Sequence, residues 1–117
     1  MQDISSNYTP DLIRGNTESL LLSLIEKLDG AYGYKLIKEI ESTSRGLLQF
    51  KEGTIYPTLR KLESEGLIAS DWQTLPTGHK KRFYVITQKG KEALEKKIAA
   101  WQEFSSAMNL ILNPNRT

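Results

Sequence analysis

Residues 53–68 of the chain read GTIYPTLRKLESEGLI, and they give the strongest indication of the fold. Its apolar residues recur at helical spacing until Gly66 ends the pattern, so we predict a helix over residues 52–65. The residues that give this helix a buried side are Ile55, Leu59 and Leu62. After Gly66 the apolar spacing changes from 3.6 to 2, which indicates a strand. The centre of the chain is therefore a helix that leads directly into a sheet.

The segments on either side of this centre give the order of the remaining elements. Towards the N-terminus we predict one helix over residues 10–28, started by Thr9 and Pro10, and a short helix over residues 33–44. Towards the C-terminus we predict a hairpin with arms at residues 68–73 and 80–87, followed by a long helix over residues 88–112.

Three helices followed by a hairpin are the arrangement of a winged helix-turn-helix domain. The expected fold class is mainly α, of the α+β kind, with a two-stranded β-wing and a long C-terminal dimerisation helix. We divide the chain into a flexible N-terminal arm at residues 1–9, the winged helix-turn-helix at 10–87, the dimerisation helix at 88–112 and a tail at 113–117. In such a domain the third helix enters the major groove of DNA.

The composition excludes most enzyme chemistry. The 117 residues include no cysteine and one histidine, His79, which removes thiolate nucleophiles, zinc–thiolate sites and multi-histidine metal sites within one chain. No glycine-rich phosphate loop or nucleophile elbow is present. We therefore expect no enzyme activity, no cofactor and no metal. Because the sequence shows no signal peptide and no apolar stretch long enough for a bilayer, we expect a cytoplasmic protein without a membrane partner.

The charge is unevenly distributed, although the net charge is only +2. Residues 1–32 carry a net −3, whereas residues 77–91 carry +5 and no acid. The basic residues of this second segment are Lys80, Lys81, Arg82, Lys89 and Lys91. Phosphate binding needs such a local field, so the wing and the start of the last helix are the favoured DNA-facing region.

The same residues resemble a known family. Residues 53–68 are closely similar to the recognition-helix motif of PadR-type transcriptional regulators, above all in Tyr56-Pro57 with Leu62-Glu63-x-x-Gly66 downstream. Residues 33–36 resemble the start of that family's second helix. Trp72 stands where its wing commonly has an aromatic residue. Residues 81–87 with Gly90 resemble its second wing strand and the turn into its dimer helix.

The resemblance covers about residues 10–112, and the short C-terminal part is similar to the small PadR-like subfamily with one dimerisation helix. One departure is Lys51-Glu52, where the family often has a small polar cap. We therefore expect a weaker start of the third helix.

The resemblance implies that two tyrosines reach the DNA backbone, where a hydroxyl donates to a phosphate oxygen. The alternative is that they are half-buried packing residues. Polar residues of the third helix are candidates for base contacts, against the alternative of a solvated helix face, and the wing cations are candidates for phosphate or the minor groove. The predicted DNA-binding residues are Tyr34, Lys51, Thr54, Tyr56, Thr58, Lys61, Lys80, Lys81 and Arg82.

The last helix has an apolar seam with a seven-residue rhythm, interrupted at Lys97. An isolated helix must bury such a seam, and a second copy of the chain is its natural partner. The predicted homodimer interface consists of Leu94, Ile98, Trp101, Phe104, Met108 and Ile111. Because some relatives bind flat aromatic compounds at this interface, the resemblance adds a second interpretation. Trp101, Phe104 and Met108 either fill the dimer core or line a slot for a small aromatic effector.

The main hypothesis is a homodimeric regulator that binds a pseudo-palindromic operator in double-stranded DNA, with third helices about 10 base pairs apart or a multiple of that. The resemblance favours a repressor. The alternative is a winged-helix module that binds protein and not DNA. The near-balanced charge of the third helix favours this alternative, since Glu52, Glu63 and Glu65 offset Lys51, Arg60 and Lys61.

Overall fold

A computed structural model of the chain describes residues 15–115, which form four helices and three strands. In chain order they are α1 (Thr17–Lys27), β1 (Ala31–Tyr32), α2 (Gly33–Thr43), α3 (Glu52–Ser64), β2 (Ile68–Thr74), β3 (Lys80–Ile86) and α4 (Gln88–Leu112). The strands form one antiparallel sheet in the order β1-β3-β2. The predicted winged helix-turn-helix fold, with its β2–β3 wing and long last helix, is confirmed.

The core lies where the first three helices meet the sheet. Each helix contributes residues at steps of three or four, because these side chains share one face of a helix. Full burial of one such aliphatic side chain contributes roughly 1.5–3 kcal/mol. The fully buried residues are Leu21, Leu22, Ile25, Leu36, Ile55, Leu59, Leu62 and Ile68. The three apolar residues predicted to anchor the third helix are all among them.

The first helix differs from its prediction. It begins at Thr17, and Gly15 and Asn16 form a turn before it, so a single unbroken helix over residues 10–28 was wrong. Glycine inside a helix costs about 1 kcal/mol relative to alanine, which explains why the pattern breaks there. The predicted arm and helix start, up to residue 14, and residues 116–117 of the predicted tail lie outside the described residues.

The sheet contains a third strand that the sequence did not indicate. The two residues of β1 pair with β3, Ala31 opposite Tyr84 and Tyr32 opposite Phe83. The Tyr32 ring meets the Phe83 ring edge-on at 5.2 Å, and its hydroxyl donates to the Gln73 side chain at 2.8 Å. The middle of the wing is therefore tied to the start of α2.

The start of α4 is fixed to the turn between α3 and β2. The Thr87 hydroxyl accepts a hydrogen bond from the Gly90 backbone N–H at 3.0 Å and donates to the Gly66 carbonyl at 2.7 Å. Lys89 donates to the Glu65 carbonyl at 2.9 Å. Gly90 lies so close to the Leu67 backbone that a Cβ would overlap it. No helix of the described part, α4 included, is long and apolar enough to cross a membrane.

Candidate functional site

The outer face of α3 is mostly polar because Ile55, Leu59 and Leu62 point into the core, while Pro57 is exposed on it. Thr54 is exposed at the N-terminal end of this face, and Thr58 is half-buried one turn later. The Thr58 hydroxyl donates to the Thr54 carbonyl at 2.9 Å, so its hydrogen is used within the helix. Lys51 occupies the N-cap position without a side-chain cap, as its departure from the family pattern predicted. Its exposed side chain is free to reach outwards from the helix start.

Tyr56 connects α3 to the start of α2. Its half-buried ring lies against Gly33, where a Cβ would overlap the ring atoms unless the ring moved away. Burial raises the pKa of the Tyr56 phenol, and the nearby Glu52 carboxylate raises it further. A tyrosine hydroxyl keeps its proton at neutral pH because its ordinary pKa is about 10, so the Tyr56 hydroxyl can donate a hydrogen bond. The two interpretations of this tyrosine are compatible, since its ring packs while the side chain stays partly accessible.

Tyr34 lies one residue further along α2 and is 41% exposed. The Lys81 ammonium of the wing sits over its ring, 4.4 Å from the ring centre, which is a cation–π contact. Two residues that are 47 positions apart and were both predicted to contact DNA are thus brought together. They place a hydroxyl and a cation on one patch beside Gly33 and Tyr56.

Arg82 lies on the opposite face of the wing from Lys81, because neighbouring side chains alternate along a strand. Its guanidinium stacks 4.9 Å from the ring centre of Trp72, the residue opposite it on β2. Its Nε donates to the Ser70 hydroxyl at 3.0 Å, and that hydroxyl donates to Glu63 at 2.8 Å. The three cations predicted to bind DNA from the wing therefore do not share one surface. Lys80, the third of them, is exposed near the hairpin turn, opposite Thr74.

Lys61 is held by two carboxylates. Its ammonium is 2.5 Å from Glu18 Oε2 on α1 and 3.3 Å from Glu65 Oε2 on its own helix. The hydrogen bond from Lys61 is the main reason that the pKa of Glu18 is below its ordinary value, and the positive charge of Lys97 lowers it further against the opposing effect of burial. Lys61 was predicted from the sequence as a DNA-binding residue, whereas Glu18 was not predicted to have a role. The one signal in the sequence was Lys97, which interrupts the apolar rhythm of the last helix.

The exposed face of α4 carries most of the predicted interface. Ile98, Trp101, Phe104, Met108 and Ile111 are 40–79% exposed, and the rings of Trp101 and Phe104 lie 6.3 Å apart. Leu94 is the exception. It is only 3% exposed because it packs in the core of its own chain, so its assignment to the interface was wrong. Leu110 and Leu112, which were not predicted, are also largely exposed.

A groove of about 590 Å³ runs between this face of α4 and the residues at the start of α1. Trp101, Phe104 and Met108 form its apolar wall, so the structure brings the three predicted effector residues together. Its polar lining includes Asn16, Ser19, Lys97, Ser105 and Asn109.

Comparison with known proteins gives consistent matches. The model of the transcriptional regulator PadR-like family matches residues 21–96. An uncharacterised protein X of Lysinibacillus sphaericus is 32% identical over 102 residues, which are 87% of this chain and 93% of that protein. A PadR family transcriptional regulator from Eggerthella lenta is 31% identical, covers 97% of this chain and 96% of its own, and superimposes with a TM-score of 0.80. A transcriptional regulator from Clostridium thermocellum is 29% identical, covers 87% and 95%, and has a TM-score of 0.78.

Proposed function

Because the chain belongs to the PadR-like family of transcriptional regulators, we propose that it is a homodimeric repressor that binds a pseudo-palindromic operator. As a member of this family it is a regulator and not an enzyme. In this proposal α3 reads bases in the major groove, the wing contacts the backbone beside it, and α4 joins the two protomers.

The observation that carries DNA binding is the patch formed by α3, the start of α2 and the wing. Thr54 and Thr58 lie on the outer face of α3. The contact of Tyr56 with Gly33 holds the start of α2 against α3. Tyr34, which follows Gly33, and Lys81, which lies over the Tyr34 ring, are therefore beside α3. A threonine methyl group suits a thymine methyl, while tyrosine hydroxyls and a lysine suit phosphate oxygens. The patch therefore offers base-reading groups flanked by groups that bind the backbone.

The dimer is supported by the amount of apolar surface that α4 exposes. Phe104 is 58% exposed and Ile111 is 79% exposed, on one side of a 25-residue helix that extends beyond the core. Burial of apolar surface is favourable by about 25 cal/mol for every Å², and this free energy is not gained while the seam stays in water. A second copy of α4 would bury it and place the two α3 helices on one face of the dimer, as an operator with two half-sites requires.

The groove beside α4 supports release by a small aromatic compound. Its wall of Trp101, Phe104 and Met108 suits a flat ring, since aromatic side chains stack on aromatic ligands and methionine adapts its shape. Because α4 connects the two DNA-binding units of the proposed dimer, an occupant of the groove would change their spacing. The alternative, in which these three residues fill the dimer core without an effector, is decided by the same experiment.

The test is selection of bound DNA from a random pool with the full chain, with and without a panel of flat aromatic compounds. We expect an enriched inverted repeat with half-sites about 10 base pairs apart, or a multiple of that. The compound that occupies the groove should release this DNA from the wild type, and should fail to release it from a Trp101→Ala variant that light scattering shows to be still a dimer. A control variant, Gln102→Ala, alters a neighbouring exposed residue of α4 outside the groove lining and should behave as the wild type.

Failure of the pool to enrich any sequence would contradict DNA-binding regulation and favour a module that binds protein. Enrichment without a response to any compound would contradict only the effector part of the proposal.

A further inference from the structure

One carboxylate lies between three helices. Glu18 on α1 is 23% exposed, and each of its two oxygens faces a different lysine. Its Oε2 lies 2.5 Å from the Lys61 ammonium of α3, and its Oε1 lies 3.3 Å from the Lys97 ammonium of α4. We call this set of Glu18, Lys61 and Lys97 the Glu18 bridge.

The two lysines of the bridge lie in different functional regions. Lys61 is on the same face of α3 as Thr54, since seven residues make almost two full turns of a helix. Its side chain is 56% exposed, so it can turn from the bridge towards a ligand. Lys97 lines the groove beside α4 together with Trp101 and Phe104, the exposed aromatic residues of the same helix. A single acid therefore links the proposed DNA-reading helix to the proposed dimerisation helix.

We propose that Glu18 is a positioning residue for DNA binding, which draws Lys61 away from DNA and does so more strongly when Lys97 is displaced from it. This inference rests on the proposed function. Lys61 and Lys97 compete for one negative charge, so a change at α4 that removes Lys97 leaves Glu18 wholly to Lys61. Conversely, loss of the Glu18 charge frees Lys61 for contact with DNA, and Glu65 at 3.3 Å is then its remaining ion-pair partner among residues 15–115.

The bridge tunes affinity and does not lock it. Partly exposed ion pairs are weak, and breaking one changes an equilibrium by at most about fivefold. A movement of α4 that displaces Lys97 from Glu18 would therefore change DNA affinity through Lys61 by at most about fivefold.

The first test compares Glu18→Gln with Glu26→Gln, which removes the same charge from an exposed position on the same helix. We expect Glu18→Gln to tighten binding to the selected DNA by about three- to fivefold. The matched control should change it by less than about twofold, because an exposed charge outside the bridge is screened by salt. In a Lys61→Met background the two glutamate variants should become equal.

The second test addresses the competition between the lysines. Lys97→Met should weaken DNA binding more than Lys96→Met, whose lysine is exposed and makes no ion pair within residues 15–115. This difference should vanish in a Glu18→Gln background, because Glu18 is the partner that Lys61 and Lys97 share among residues 15–115.

A third measurement needs no DNA. Titration of the Glu18 side-chain carboxyl by carbon NMR should show a pKa that rises in Lys61→Met and again in Lys97→Met. Failure of both substitutions to move it would overturn the bridge. A wild type that binds no DNA overturns the proposed function. A wild type that binds DNA, with Glu18→Gln no different from Glu26→Gln, overturns only the role of Glu18.

Discussion

Lys81 and Arg82 are neighbours in the chain, but the alternation of β3 gives them different surroundings. Lys81 lies over the Tyr34 ring and keeps its ammonium exposed, whereas the Arg82 guanidinium is engaged by Trp72, Ser70 and Glu63. Only the first of the two cations is available to a phosphate without breaking other interactions. The net charge of a segment therefore overstates the number of cations that it offers to DNA.

We expect Lys81→Ala to weaken DNA binding equally for all sequences, because a phosphate contact carries no base information. The slope of log affinity against log salt should become shallower by about 0.9 for each phosphate that the variant no longer neutralises. Arg82→Ala should also weaken binding without changing the preferred sequence, but by less. Affinity titrations at several salt concentrations check both, and a change in the preferred sequence would contradict a backbone role.

The Glu18 carboxylate also predicts how stability depends on pH. Its pKa is lowered in the folded chain, so the charged form stabilises the fold above the ordinary glutamate pKa of about 4.3. This contribution is lost as the pH falls through the lowered folded-state value. Glu18→Gln should therefore be less stable than the wild type at pH 7, by about 0.5 kcal/mol, and equally stable at strongly acidic pH.

Urea denaturation at several pH values measures this difference. An equal gap between the two proteins at all pH values would show that Glu18 contributes by packing and not by charge.

At the scale of elements, the first turn of α4 depends on the two hydrogen bonds of Thr87. Thr87→Ala should lower the free energy of unfolding by about 1 kcal/mol, because the cap to the Gly90 N–H is removed together with the bond to the Gly66 carbonyl. Thr87→Ser keeps both bonds and should stay close to the wild type. Urea midpoints with unchanged slopes check this, and equal destabilisation in both variants would contradict the capping role.

The ends of most elements could be predicted because local chemistry fixes them. Gly66 follows the last turn of α3 with a positive φ, and Thr87 caps α4 through the backbone N–H of Gly90, three residues further along the chain. The two-residue strand β1 could not be predicted, since its pairing with β3 depends on residues about 50 positions away. Leu94 fits the seven-residue rhythm as well as Trp101 does. Only the packing of α4 on the core shows that one is buried and the other is exposed.

In the candidate site, too, residues marked by local sequence could be predicted, and residues marked by a distant partner could not. Tyr34, Tyr56 and Lys81 were found from sequence resemblance and local charge, and the structure brings them together. Glu18 and the stacking of Trp72 on Arg82 were missed, because what marks each of them is a partner on another element. Ion pairs across 43 residues leave no periodic signal in a sequence.

At the scale of the whole molecule, the exposed seam of α4 predicts a dimer of the 13.3 kDa chain. Phe104→Glu should give a monomer, because a buried unpaired charge in an apolar interface costs several kcal/mol. Ser106→Glu places the same charge on the opposite, exposed side of α4 and should leave the dimer intact. Light scattering after size exclusion measures both masses. A monomeric wild type, or a dimer that tolerates Phe104→Glu, would contradict an interface formed by the seam.

The most direct test of the account is the affinity of the wild type for the selected inverted repeat, compared with the same half-sites moved apart by five base pairs. Half a helical turn places the second half-site on the opposite side of the DNA, where a symmetric dimer cannot reach both. We predict that affinity falls by about 100-fold, because one protomer can no longer reach its bases. Equal affinity at both spacings would contradict a dimer that reads successive major grooves through α3.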